Sequence, residues 1–514
     1  MSHDAYARPE LKMYSLRYAC FILRVDMFKR PTKRQLLIRR IIVYSVMVTA
    51  IGVIVAGTIL FIQGYRLDGD KGRLEQGALV QFDSQPNNAD VRIDGTSINA
   101  NTPSKQTVVA GPHTFVMNKS GYQSWQKTVN VKAGTLEWLD YPLLVPTKLP
   151  VESVANYATL YGEKASPDNK WLLVQEKANL PNFQLVDLRS QQVKVSSLTL
   201  PASVYTDATT PNVTHTFTME SWDKDGRYVI IKHTYNNKSE YLVLDTQDVT
   251  KTVNVSTLLS IALTEVKFSG TSGTLLYGLT DGVLRKLDLS NATISRGLVS
   301  SVKDFSIFAN TIVTYTGTDP KNAANQVAGI YREGDDAPHV LRTVNNLTTP
   351  LTITATQYYS DDYIAISEGL KVTILKGKYP ASTDTTNASL KNFADLKALS
   401  NVDTMQFSVN GKRLVIQSGL NLVSYEIDYM RETDATIATS ETTPRTLQWL
   451  NNAYLWAVYD GRLSIREFDG TNVRVIMPME PGYDATLSQN GKYLYGIAKN
   501  ANGYQVQRVT MILN

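Results

Sequence analysis

From Ile41 to Ile62 the chain carries no charged residue, and a helix of that length rises roughly 30 Å, the thickness of a bilayer's hydrocarbon core. A core helix of a soluble domain keeps a polar face, and this run has none, so the sequence predicts a membrane-spanning helix bounded by Ile41 and Ile62. Before it stand Arg8, Lys12, Arg17, Arg24, Lys29, Arg30, Lys33, Arg34, Arg39 and Arg40, whereas only Arg66, Lys71 and Arg73 follow nearby. That asymmetry keeps residues 1–40 in the cytoplasm as a basic tail and sends the remainder across the membrane. The basic segment is long, and the apolar run exceeds the h-region of a cleaved signal peptide, so it reads as an uncleaved signal-anchor. Gly52 and Ala56 stand four apart, a spacing that lets two such helices approach closely but is also common in single membrane helices. Leu11 to Val25 mixes apolar and basic residues, which suits either a helix on the anionic inner leaflet or a plain orientation tail.

The chain has 514 residues and a formal net charge of +5, long enough for two or three domains with cores of their own. Because the excess charge precedes the apolar run, it speaks of topology and argues against a nucleic-acid partner. The sole cysteine, Cys20, also lies there, so the rest of the chain forms no internal disulfide and offers no thiolate metal site.

After a linker at 63–76, residues 77–146 alternate apolar and polar over short runs, as in Ala78-Leu79-Val80-Gln81-Phe82 and Val91-Arg92-Ile93. Turn residues separate them: Pro86-Asn87-Asn88, Asp94-Gly95, Thr102-Pro103, Ala110-Gly111 and Ser120-Gly121, followed by Tyr122. The pattern predicts a small antiparallel β-sandwich. In the order and spacing of Pro86, Asp94-Gly95, Thr102-Pro103, Gly111-Pro112-His113 and Gly121-Tyr122 it resembles the PEGA domain. Asn87 and Asn88 stand where that family's name-giving motif has Glu and Gly, so the resemblance implies a shared turn shape more than shared chemistry. It implies a surface-associated module and no catalysis. His113 reads as a hairpin residue.

Residues 151–514 are strands and turns, apart from a helical patch expected near Ser389 to Leu399. One unit recurs: a turn of Ser, Asp, Asn and Gly, then a strand. The clearest copies are Ser166-Pro167-Asp168-Asn169-Lys170, Asp223-Lys224-Asp225-Gly226-Arg227, Ser408-Val409-Asn410-Gly411-Lys412 and Ser488-Gln489-Asn490-Gly491-Lys492. With weaker copies between them the spacing is roughly 40–55 residues, the size of a four-stranded propeller blade. The turns resemble those of TolB-like and WD-like propellers, without the Trp-Asp ending of true WD repeats. Eight blades are preferred and seven are the alternative. The last unit is short, and residues near Val154 to Tyr161 are placed to supply its missing strand. The expected fold class is therefore mainly β: one N-terminal transmembrane helix, a PEGA-like sandwich, then a β-propeller.

Chemistry is sparse. None of the five histidines falls in a metal-binding spacing, and there is no nucleophile elbow and no phosphate- or dinucleotide-binding glycine loop. Asp223-Lys224-Asp225-Gly226 opens like a calcium loop but lacks the closing glutamate, and it sits on the recurring turn. Asp335, Asp336, Asp361 and Asp362 have the residue type to flank a glycosidic bond, but the sequence does not bring them together. No catalytic, cofactor-binding or metal-binding residue is expected. With 28 tyrosines and six tryptophans, an aromatic surface for sugars is available. The reading is a single-pass cell-membrane protein whose extracytoplasmic propeller binds an envelope polymer or an envelope protein. The alternatives are a propeller enzyme using channel carboxylates on envelope glycans, and a sensor signalling through its tail.

Overall fold

The computed structural model describes residues 32–62, 65–68, 73–270, 272–309, 311–379 and 389–513; the Leu11 to Val25 segment and Cys20 lie outside them. Residues up to Gly77 and residues from Ala78 onward form two compact units. In the first, α1 (Lys33–Ile62) is long and apolar enough to cross a membrane, and none of its residues is buried. A run so rich in β-branched residues is helical because only a helix satisfies every backbone polar group within one segment in lipid. It begins eight residues ahead of the uncharged run, so Arg34, Arg39 and Arg40 are helical too. Gly52 and Ala56 fall one turn apart on it, and a Cβ at Gly52 would meet nothing within 4 Å. Where the sequence reads as a linker, the structure has strands: β1 (Tyr65–Asp68) pairs antiparallel with β2 (Arg73–Phe82). The alternation Tyr65-Arg66-Leu67-Asp68 has the period of a strand, and it faces its mirror in Arg73 to Gln76.

The second unit opens with a sandwich. One sheet joins β2, β5 (Ser104–Val109) and β8 (Leu136–Leu139), and the other has the order β4 (Thr96–Asn101), β3 (Asp90–Ile93), β6 (Gly111–Asn118), β7 (Trp125–Val131). Each strand turns alternate residues inward: along β7 Trp125, Lys127, Val129 and Val131 are buried. Val80, Phe82, Val91, Phe115, Met117, Trp125 and Val129 fill the space between the sheets. Asn88 has φ 68°, so where the PEGA pattern has glycine the residue is asparagine, which tolerates the left-handed region. Asp94 and Gly95 follow with φ 49° and 84°. The buried Thr102 hydroxyl accepts the Ala89 N–H at 3.0 Å, and Tyr122 is buried in the sandwich core.

Beyond it, eight four-stranded antiparallel sheets follow one another among the described residues, the first seven each an up-and-down meander. They span 162–199, 215–254, 265–294, 302–344, 351–397, 404–436 and 448–478, and the eighth joins Thr486–Leu487, Tyr493–Asn500 and Gly503–Thr510 to β9 (Val151–Tyr157). The second strands are buried on both faces, which explains their unbroken apolar runs. Leu173 packs toward the second sheet, while its neighbours Leu172 and Val174 pack toward the eighth. The same alternation links sheets two and three, three and four, four and five, five and six, and six through eight. The packing closes on itself, and a cycle of sheets with their first strands innermost is a propeller. The expected helical patch near Ser389 to Leu399 is instead the strand Lys391–Lys397, outermost in the fifth sheet. Pairing with Lys371–Gly377 overrides its local pattern.

The recurring turn has one cause. Ser408 Oγ accepts the Arg413 N–H at 3.0 Å and donates to Asn410 Oδ1 at 2.9 Å, which accepts the Lys412 N–H. Ser488 and Asn490 repeat this around Tyr493 and Lys492, as do Ser166 and Asp168 around Trp171 and Lys170. Gly411 and Gly491 complete the turn at φ 73° and 67°.

Candidate functional site

The sandwich is locked to the sixth, seventh and eighth sheets. Glu467, fully buried, accepts the Trp125 indole N–H, the Lys127 ammonium at 2.6 Å, the Tyr454 hydroxyl at 3.0 Å, and Asn472 at 2.9 Å. Lys127 also pairs with Asp469 at 2.7 Å and lies over the rings of Tyr141 and Phe468. Burial alone would lower the pKa of the Lys127 ammonium, but Tyr141, Glu467 and Asp469 hold it well above the usual value. Burial raises the Asp469 carboxyl, and Lys127 more than reverses that, leaving it lowered. At the flanks Arg431 grips Glu137 in a two-pronged bond of 2.9 and 3.1 Å. The Tyr122 hydroxyl accepts the Leu513 N–H at 2.7 Å.

Along this junction runs a trench of three connected cavities. The first, about 530 Å³, lies on the sandwich beside Trp138 and Lys105. It shares Asp83 and Asp140 with a second of about 690 Å³, whose far wall is Tyr358, Lys412 and Arg413. Gln85, Asn451 and Asn452 lead into the third, about 660 Å³, walled by Trp449 and the turns at Ser166 and Ser488. Its lining is mostly polar. Each cavity also has a buried polar atom with no hydrogen-bond partner: Ser104 Oγ, Arg413 Nη2 and Trp449 Nε1 respectively. Arg413 is 2% exposed, and burying a donor without a partner costs about 1–3 kcal/mol.

Among the described residues the innermost strands carry Glu163, Glu220, Glu265 and Asp304. Glu265 and Asp304 share Lys267, at 2.8 and 3.5 Å. Glu163 is buried and accepts the Asp484 N–H; burial and the nearby Asp484 charge push its carboxyl well above the usual range. The Asp484 carboxyl is raised as well, by burial.

The acids singled out from sequence are not assembled. Asp335 pairs with His339 at 3.3 Å, Asp361 with Lys376 at 3.3 Å, Asp362 accepts the Tyr379 N–H, and Asp336 is fully exposed. Asp223 Oδ1 accepts the backbone N–H groups of Arg227 and Tyr228, both at 2.8 Å, and so closes its turn as the serine closes the others. Among the described residues no three His, Cys, Asp or Glu side chains are grouped to hold a metal. Of the sandwich turn residues, Pro86, Gly95 and Gly121 shape loops; Asp94 accepts the Thr114 N–H and pairs with His113 at 2.6 Å. Pro103 borders the first cavity.

Sequence reasoning missed one cluster. His215 Nδ1 lies 2.9 Å from His233 Nε2, and His233 Nδ1 lies 2.8 Å from Glu240 Oε1, which also accepts the Thr206 N–H. The hairpin places Phe217 opposite His233 and His215 opposite Tyr235 only because a β-bulge between Met219 and Ser221 shifts the register by one, so counting outward from the turn at Asp223 would have put the two histidines on opposite faces, and the sequence carries no signal for the pair.

The sandwich's strand order, its turn at Pro86 to Asn88 and its Gly121-Tyr122 corner are the features a family model tests. Residues 79–145 match the PEGA domain. The PEGA domain thus supplies one wall of the trench, and the propeller supplies the other. No curated protein matches the chain in sequence. Among solved structures it is similar to Hsv2 from Kluyveromyces lactis, at 13% identity over 68% of this chain and 97% of that one, with a TM-score of 0.35. It is also similar to the β-propeller domain of Cps50 (Swd1) from Myceliophteria thermophila, at 11% identity over 71% and 100%, with a TM-score of 0.36. A third is oligogalacturonate lyase from Vibrio parahaemolyticus, at 9% identity over 71% and 98%, with a TM-score of 0.36. The propeller assignment rests on the cyclic sheet packing and not on these distant likenesses.

Proposed function

We propose that the chain is a membrane-anchored, extracytoplasmic binding protein that recognises an extended envelope polymer in the trench between its PEGA domain and its propeller. The observation that carries this reading is that the three cavities adjoin, the first and second sharing Asp83 and Asp140 and the second and third sharing Gln85, Asn451 and Asn452. A linear ligand crossing all three gains contacts from each. The basic segment before α1 supports an amino terminus in the cytoplasm. A second reading keeps one foothold: Glu163, its carboxyl raised, beside Asp484 on the trench wall has the character of a general acid, which fits an enzyme acting on envelope glycans.

The test uses the full chain in lipid nanodiscs, mixed with isolated wall polymer or with solubilised envelope proteins, while released fragments are assayed. Saturable binding to the polymer without fragments is expected, weakened several-fold by Gln85→Ala, which removes an exposed amide shared by the second and third cavities. Binding only to a protein would replace the polymer with a protein partner, and fragments that vanish in Glu163→Gln would establish the enzyme.

A further inference from the structure

The first cavity differs in character from the other two. It is the part of the trench built wholly from the PEGA domain, between β2, β5 and β8. Trp138 lines it with its side chain 38% exposed, although neighbouring Leu139 and Glu137 are buried. The Trp138 backbone N–H donates to the Tyr429 hydroxyl at 2.8 Å, which ties the strand here to the propeller. Around it are Gln81, Asp83, Ser104, Lys105 and Asp140, and Ser104 Oγ is buried without a partner.

Resting on the reading of the trench as a polymer-binding site, we infer that this cavity is a saccharide subsite taking one uncharged or amino-bearing pyranose ring of the polymer. An indole face suits the C–H face of a sugar ring. The carboxylates accept from its ring of hydroxyls, the Lys105 ammonium donates to them and the Gln81 amide does both. The charge decides the class of sugar. Two carboxylates face one lysine, so a uronate or phosphorylated sugar is repelled, whereas a neutral or cationic sugar is not. The volume of about 530 Å³ fits one ring with its substituents. Here Trp138 is a binding residue that sets which sugars enter, and it has no part in any bond cleavage.

Calorimetric titration of the full chain in nanodiscs tests this with three defined oligomers: N-acetylglucosamine, glucosamine and galacturonate. The two former are expected to bind and the last to bind at least about tenfold more weakly, a difference of about 1.4 kcal/mol. Trp138→Ala should weaken binding about tenfold and Trp138→Phe should restore most of it. Because Trp138 is partly exposed and its anchoring bond is made by the backbone, the alanine variant keeps the fold. Equal binding of galacturonate, or a Trp138→Ala variant that binds as well as the parent, overturns the subsite. If no oligomer binds while wall polymer still does, the saccharide assignment falls and the trench reading stands; if neither binds, both fall.

Discussion

His215, His233 and Glu240 form a hydrogen-bonded row from the edge of the second sheet into its interior, and the row predicts how stability follows pH. Burial opposes the Glu240 charge, but hydrogen bonds from His233, Asn254 and Thr206 outweigh it and bring the carboxyl from 4.5 to about 2. Burial, then the charge of His233, lowers His215 below its usual 6.5. For both groups the unfolded chain binds protons more readily than the folded one, so each contributes stability above its unfolded value and loses it as pH falls. The His215 contribution therefore fades as pH drops below about 6.5, and the Glu240 contribution fades between about 4.5 and 2. Thermal midpoints measured from pH 8 to pH 3 should fall less steeply between pH 7 and 5.5 in His215→Gln. In Glu240→Gln they should start lower and flatten below pH 4.5. A His215→Gln profile parallel to the parent's would refute this account.

At the scale of elements, the bond between the PEGA domain and the seventh sheet is ionic and buried. Removing one partner strands the others: Lys127→Met leaves Glu467 and Asp469 buried together without their cation and should cost about 3–5 kcal/mol. The triple change Lys127→Met, Glu467→Gln, Asp469→Asn removes the charges together and should recover most of that loss in denaturant midpoints. If the single change costs nothing, the two domains are not coupled through this pair. Sequence reading could see the turns that begin second strands, because Ser408 and Ser488 bond within five residues of themselves, and it could see the sandwich alternation along β7. It could not see this junction, because Lys127 and Glu467 are 340 residues apart and a buried lysine in an alternating strand looks like any outward-facing one. The trench was hidden for the same reason: Trp138 is legible as an aromatic, but only the fold puts it beside Ser104 and Asp140. The strand at Lys391–Lys397 was misread as helical because its partner strand, not its own pattern, decides its form.

At the scale of the whole molecule, the basic segment ahead of α1 argues for an inward-facing amino terminus, and the sole cysteine offers a direct check. Cys20 should resist a membrane-impermeant maleimide in intact cells and react once the membrane is permeabilised; labelling of intact cells would place residues 1–40 outside. The propeller itself is sealed by pairing β9, which precedes the first sheet in the chain, with the strand Gly503–Thr510, which follows the seventh. Glu152 of β9 meets Arg508 at 2.9 Å across 356 residues of chain. Until the strand Gly503–Thr510 arrives, β9 has an open edge and the eighth sheet does not exist, so loop-closure entropy makes sealing a late and slow step. The PEGA domain, contiguous in sequence and docked on the last three sheets, can finish folding early, but its binding face on the propeller forms only at the end. A chain truncated before the eighth sheet would lack the wall of the third cavity that Thr486 to Gly491 supply.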